Sequence, residues 1–521
     1  MSESSTNKSR RRSGGRSARH EQRTRELPED KRPVRPGMPG GGCYTPLDED
    51  AVGRIHNAAL DALEQIGLAK SIPSCVELLT RAGARLDNDR LKFPRALIED
   101  TIAKAAKEVV LYGQNEQHDM TVGGNRVYFG TAGAAVHMVD PVSGEYRESH
   151  LKDLYDAARI VDRMDHIHFF QRPMVVRDIT DPREMDFNTC YVSVMGTSKH
   201  VGTSFVEPAH VEESLGMLHH IAGGEQRWRD RPFVSCSCCF VVPPYRWAED
   251  ACRVMEACVR GGMPVLLLAA GQAGATSPAT LAGAVVQEVA EVLAGLVYVN
   301  AISPGHPAIF GTWPFISDLR TGAMSGGSGE QAVLMAACGQ MGRYYNLPTG
   351  IAAGMADAKI PDAQSGFEKG YTEVLAAHSG ANLIYESAGM HASLLGFCHE
   401  SLVIDNDMIG AINRTVRGIE VNDETIALQT MKDVCLEGPE HYLGHGQTMS
   451  VMESDYVYPV VSDRLSPNEW AENGRVDAVQ RAQRKVDKLL GEYWPSHVDS
   501  EIDSNIREKY PVRIPRSEMS A

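Results

Sequence analysis

Eight times between residues 127 and 386 a short apolar run ends in a polar or Gly-containing turn, and an amphipathic helical pattern follows. The runs are Val127–Gly130, His166–Gln171, His200–Val206, Phe233–Cys238, Val265–Ala270, Ala308–Thr312, Thr349–Gly354 and Asn382–Glu386. They are built from small, β-branched and aromatic residues without polar alternation, the pattern of strands covered on both faces. In Tyr245–Cys258 the residues Trp247, Ala251, Val254, Met255 and Cys258 fall on one helical face. Segment 278–298 is apolar nearly throughout and predicts a buried helix. Eight strand–helix units predict an α/β fold, a closed (β/α)8 barrel of the TIM type. The rival is a doubly wound open sheet, and no G-x-G-x-x-G follows any of the runs.

Around residues 127–417, the expected barrel, the chain divides into a basic, disordered tail (1–42), an N-terminal helical cap (43–126) and a helical C-terminal extension (418–521). The cap should hold helices near 46–66, 72–83 and 94–106 and a strand near 107–112. The extension should hold helices near 423–434, 467–472 and 475–493. Charge matters here because of the tail. The first 36 residues carry eleven Lys/Arg and five Asp/Glu, so removing that +6 from the net −16 leaves about −22 elsewhere. An acidic body argues against a nucleic-acid surface. The tail lacks the apolar core of a secretory signal, and its acidic residues argue against a transit peptide. With no uncharged apolar run of membrane length, no span is expected. Eleven scattered cysteines read as reduced thiols of a cytoplasmic protein. The one cluster, Cys236-Ser237-Cys238-Cys239, lies in a strand whose neighbours face opposite sides, so it reads as buried core and no metal site is expected.

Barrel sites lie at strand C-termini. Those ends and exits carry Gln171, Arg172, Thr203, Glu207, Ser237, Gln272, Trp313, Asp357, Lys359, Glu386 and His391. The exit after the seventh run is the most promising, since TGIAAG releases a loop bearing Asp357, Lys359, Asp362 and Gln364 before the next helix. No G-x-S-x-G, H-E-x-x-H or P-loop occurs. Ser325–Glu330 (SGGSGE) reads as turn punctuation before a helix, with phosphate binding the weaker reading. Aromatic residues crowd the mouth: Tyr128, Phe129, Phe169, Phe170, Phe310, Trp313, Phe315 and Tyr385. Ring faces attract quaternary ammonium groups by about 0.5–2 kcal/mol each.

Several motifs in order resemble one family, the trimethylamine methyltransferases, which are corrinoid-dependent enzymes built on a barrel. They are SPATLAGAVVQEVAEVLAG (Ser277–Gly295), FGTWPF (Phe310–Phe315), DAKIPDAQSGFEK (Asp357–Lys369), SGANLIYESAGM (Ser379–Met390) and LVIDND (Leu402–Asp407). The resemblance covers most of residues 45–495. Archaeal members carry pyrrolysine before the aspartate of the DAK motif, and that place aligns with Met355. The chain therefore resembles the non-pyrrolysine branch, whose characterised members demethylate quaternary amines such as glycine betaine. A quaternary ammonium leaves as a neutral amine and needs no general acid, which suits a chain without a triad. Met355, an unbranched thioether, can only pack.

The resemblance implies a barrel enzyme that takes a methyl group from a small methylated amine. The acceptor is the Co(I) of cobalamin held by a separate corrinoid protein docked over the mouth. No cofactor is expected to be tightly bound, since no D-x-H-x-x-G corrinoid signature occurs, and a homo-oligomer is expected. Within that frame Trp313 and Phe310 would cage the ammonium group, and Glu386 would supply countercharge. Arg172, beside Gln171, would bind a carboxylate in bidentate fashion. Asp357, Lys359 and Gln364 belong to the loop motif, Met355 would pack against the substrate, and His391 would line the pocket. Another methylated zwitterion such as carnitine, proline betaine or a sulfonium compound remains open. So does a non-catalytic barrel that only binds quaternary amines.

Overall fold

The computed structural model describes Pro28, residues 31–436, Gly438 and residues 440–520. Eight parallel strands form the core: β1 (Arg126–Phe129), β2 (Phe169–Gln171), β3 (His200–Thr203), β4 (Val234–Cys238), β5 (Val265–Ala269), β6 (Ala308–Thr312), β7 (Thr349–Ala352) and β8 (Leu383–Tyr385). Each bonds to the next in chain order, β8 returns to β1, and a parallel bridge between Gly130 and Phe169 joins β1 to β2. The ring is thus the closed (β/α)8 barrel expected. Each strand is followed by its helix: α1 (Leu151–Asp162), α2 (Pro182–Gly196), α3 (Pro208–Ala222), α4 (Glu249–Arg260), α5 (Leu281–Ile302), α6 (Gly329–Tyr344), α7 (Ala363–Ser379) and α8 (His399–Arg417).

Strand parity decides which side chains enter the lumen, because residues paired across parallel strands face the same side. Cys238, Leu267, Phe310 and Thr349 form one such row. Cys238 Sγ reaches the Ala251 carbonyl of α4 at 3.3 Å, and the Phe310 ring meets Tyr345, which ends α6, at 5.8 Å. That row therefore faces the helices, and the alternate row, Ser237, Leu266 and Ile309, faces the lumen.

Helix α5 is apolar all round because it is covered on all sides. It packs on β5 and β6 within and on the cap helices Glu49–Gln65, Pro73–Ala82 and Arg95–Lys104 outside. By length and composition it could cross a membrane, yet 83% of its most apolar stretch is buried inside the protein. The cap helices match their expected spans within a few residues. Helix α4 starts later than expected, at Glu249, because Arg246–Trp247 pairs as a strand with Val241–Val242. Trp247 therefore packs on Tyr298 of α5 at 5.4 Å from that strand and not from a helical face.

Most of the tail expected over residues 1–42 lies outside the described residues, but Met38–Pro39 pairs antiparallel with β1 and the Gly42 amide donates to the His378 carbonyl, so that part is docked. The extension expected over 418–521 is divided. Residues 459–521 belong to the unit that holds the barrel, where the amides of Val460, Val461 and Ser462 donate to the Asp407 carboxylate at 2.7–2.8 Å. Described residues of 417–458 form a second unit with residues 31–35. In it Arg417 pairs with Asp455 at 2.8 Å, and Ala427, with φ 58°, separates Asp423–Ile426 from Leu428–Cys435.

Candidate active site at the barrel mouth

Three rings meet at the strand C-termini. Tyr385, the last residue of β8, lies edge-on to Phe169 of β2 at 4.9 Å and 5.1 Å from Trp313, just beyond β6. The ring of Tyr385 sweeps across β7, where a Cβ on Gly350 would stand 2.7 Å from it, so only glycine admits it. Strand β3 makes a similar concession to Gln171: a Cβ on Gly202 would fall 1.6 Å from Gln171 Oε1. Gln171 therefore extends over β3 in the lumen. Phe310 does not join the rings. It belongs to the outward row, which corrects its expected place beside Trp313. Trp313 instead meets Tyr385, which in turn meets Phe169, two rings that the sequence showed among the mouth aromatics without singling them out.

Glu386 follows Tyr385 in a left-handed backbone, φ 64°, which costs a non-glycine residue about 1–2 kcal/mol. It is 1% exposed, its Oε2 has no hydrogen-bond partner among the described residues, and burial pushes its carboxyl up to about 8. Cys239, one residue beyond β4, stands across the ring from β8. Its thiol is pushed up to about 11, chiefly by burial; Arg172 opposes this, and the Glu386 carboxylate adds to it. Alternation along β4 puts Cys239 on the same side as the lumen-facing Ser237. Cys239 is surrounded by protein yet open to solvent on one side, so the cysteine cluster read as core divides there.

Arg172 donates from Nε to Ser204 Oγ at 2.9 Å and from Nη1 to the Met174 carbonyl at 3.3 Å. Among the described residues it forms no ion pair, and burial lowers its pKa while Asp186 supports it. Asp186 is itself engaged by the Val206 amide and by His210, both at 2.7 Å. Arg172, Ser204, Ser237 and Cys239 line a cavity of about 280 Å³ walled by Val175, Phe205 and Val254.

The seventh loop is wired to its neighbours. Asp357 accepts from Ser325 Oγ at 2.6 Å, from the Gly326 amide at 2.8 Å and from Ser393 Oγ, joining the exits of β6, β7 and β8. The Gly-rich turn at 325–330 thus spends an amide on Asp357, and Ser328 caps α6 by accepting from the Gln331 amide. Glu368 accepts from the amides of Asp357 and Ala358 and from Gln364 Nε2. Lys359 is exposed and donates to the Asp357 carbonyl, and Gln364 is exposed as well. Neither joins the rings. His391 is fully buried, bonds Ser401 Oγ at 2.7 Å and is held neutral by burial. Met355 is fully buried, packed under Gly326.

Fold and site together define an α/β-barrel protein that gathers aromatic rings at its strand ends, with a buried acid following β8 and the Arg172 guanidinium in a cavity that α2 and α4 help to wall. Residues 12–515 match the trimethylamine methyltransferase family, and the chain belongs to that family. It is 34% identical over 463 residues to a trimethylamine methyltransferase of Desulfitobacterium hafniense, covering 88% of this chain and 92% of that one. It is 27% identical to a glycine betaine methyltransferase of the same species, covering 89% and 96%, and 30% identical to a trimethylamine methyltransferase of Methanosarcina thermophila, covering 86% and 93%. The crystal structure of the Methanosarcina barkeri monomethylamine methyltransferase aligns with a TM-score of 0.49 at 12% identity, covering 87% and 90%.

Proposed function

We propose that this methyltransferase moves a methyl group from a quaternary ammonium compound of the glycine betaine kind to the Co(I) of a corrinoid carried by a separate protein. The observation that carries this reading is the cluster of Phe169, Tyr385 and Trp313, with the buried carboxyl of Glu386 on the residue that follows Tyr385. Rings and a carboxylate together suit a permanent cation that offers no N–H to a hydrogen-bond acceptor. Met355 supplies neither an electrophile nor a proton, so nothing there activates a free tertiary amine. A quaternary nitrogen needs no activation, because C–N cleavage leaves the electron pair on a neutral amine. The protein's share is then to hold one methyl carbon in line with the cobalt and to exclude water.

In this reading Arg172 grips the substrate carboxylate and Gln171, extended over β3 at the mouth, contacts the substrate. Asp357 fixes the loops, Lys359 and Gln364 steady them from outside, and His391 supports the wall. The corrinoid protein covers the mouth. A cobalt(I) co-substrate calls for a reducing compartment, which suits a cytoplasmic, oligomeric enzyme with eleven free cysteines. Trimethylamine is the second reading, favoured by the 34% relative. The test is anaerobic turnover with reduced cobalamin, followed by the visible spectrum. Methylcobalamin should form with glycine betaine or a similar betaine and not with trimethylamine. Product with trimethylamine alone overturns the quaternary assignment, and no product with any amine overturns the reaction.

A further inference from the structure

We infer that Glu386 is a neutral carboxylic acid in the empty site and releases its proton to solvent when a quaternary ammonium group enters, so that substrate binding expels a proton. The inference rests on the quaternary-amine reading above.

The geometry compensates this side chain poorly. Glu386 is almost fully enclosed, and its Oε2 has no donor among the described residues. Burial alone moves its carboxyl, and no cation is paired with it among the described residues. An isolated buried carboxylate is costly and takes a proton instead. A quaternary ammonium can neither give nor accept a proton. It can only offer charge, and that charge favours the anion. On binding, the O–H bond of Glu386 breaks, its electron pair stays on the carboxylate, and the proton passes to bulk water.

The other titratable groups around Glu386 keep their state between pH 6 and 8. Cys239, opposite on β4, stays a thiol with its pKa about 11, and Arg172 stays a cation. The Tyr385 phenol is raised by burial. From α7, Glu373 lies under the turn that carries Glu386 and is held protonated, first by burial and then by Asp405. His391 stays neutral. Glu386 alone, at about 8, titrates in that window. Since the complex needs the ionised form, affinity should rise about tenfold per pH unit below that value and level off above it.

Calorimetry of the whole protein with tetramethylammonium and with glycine betaine, in phosphate and in Tris from pH 6 to 9, reads this directly. The expected result is close to one proton released at pH 6.5, declining to none at pH 9. Glu386→Gln should bind more weakly, with no proton release and no pH slope. If that variant does not fold, difference infrared spectroscopy of the wild type should show a carboxylic-acid band lost on adding tetramethylammonium. Binding whose heat is independent of buffer at pH 6–8, an infrared band that persists, or release that survives in Glu386→Gln overturns this inference and leaves the quaternary reading standing. Failure of every quaternary ammonium to bind overturns both.

Discussion

Trp313 and Phe310 are three residues apart, yet one enters the mouth and the other faces the helices. Their consequences on mutation should separate accordingly. Phe310→Ala removes a buried ring from between β6 and Tyr345 and should cost about 3–5 kcal/mol in denaturant unfolding. The folded fraction should still bind glycine betaine with unchanged affinity. Trp313→Ala should weaken that binding about tenfold in calorimetry, in line with about 1–2 kcal/mol from a desolvated ring. Equal affinities for the two variants would remove Trp313 from the site.

Between the residue and the fold stand the loops, and the motifs that resemble the family act mainly there as organisers. In LVIDND, Asp405 accepts from Lys369 of α7 and from the Gly389 amide, Asn406 accepts from the His166 amide, and Asp407 holds the returning segment at 460–462. In DAKIPDAQSGFEK, Asp357 and Glu368 wire the loop to itself and to the exits of β6 and β8. Asp357→Ala should therefore leave the barrel intact while loosening three loops. Amide exchange at 324–328 and 390–396 should accelerate, and methyl transfer should slow at least about tenfold, since a buried donor left unpaired costs roughly 1–3 kcal/mol. Unaltered exchange in both loops would refute the clamp.

Across the whole molecule, buried acids set how stability varies with pH. Glu386, at about 8, and Glu291, at about 7, are raised chiefly by burial, as are Glu288 and Glu373 more strongly still. Their folded pKa values exceed the unfolded ones, so the folded state binds more protons and stability falls as pH rises from about 4.5 toward 8. Asp162 works the other way. Burial would raise it, but hydrogen bonds from Tyr493, Ser198 and Thr197 hold it below the usual range, so its contribution is present above about pH 4 and lost on acidification. Denaturant midpoints should accordingly peak near about pH 5 and decline toward pH 8, and a midpoint that climbs across that interval would contradict this balance. Much of this architecture is legible in the chain. All eight strands and their order, the cap helices and the buried α5 follow from apolar periodicity and Gly/Pro punctuation, and the mouth follows from barrel geometry. The later start of α4, the docking of Met38–Pro39 and the separate unit at 417–458 were not legible, because each depends on partners remote in sequence. The ring cluster lies between these cases. By itself the sequence determined the barrel, since strands covered on both faces are made mostly of small and apolar residues on either side. For the same reason it carries no mark of which residues look inward, and only the tertiary pairing, which rotates each strand into register with its neighbours, set Trp313 beside Tyr385 and turned Phe310 away.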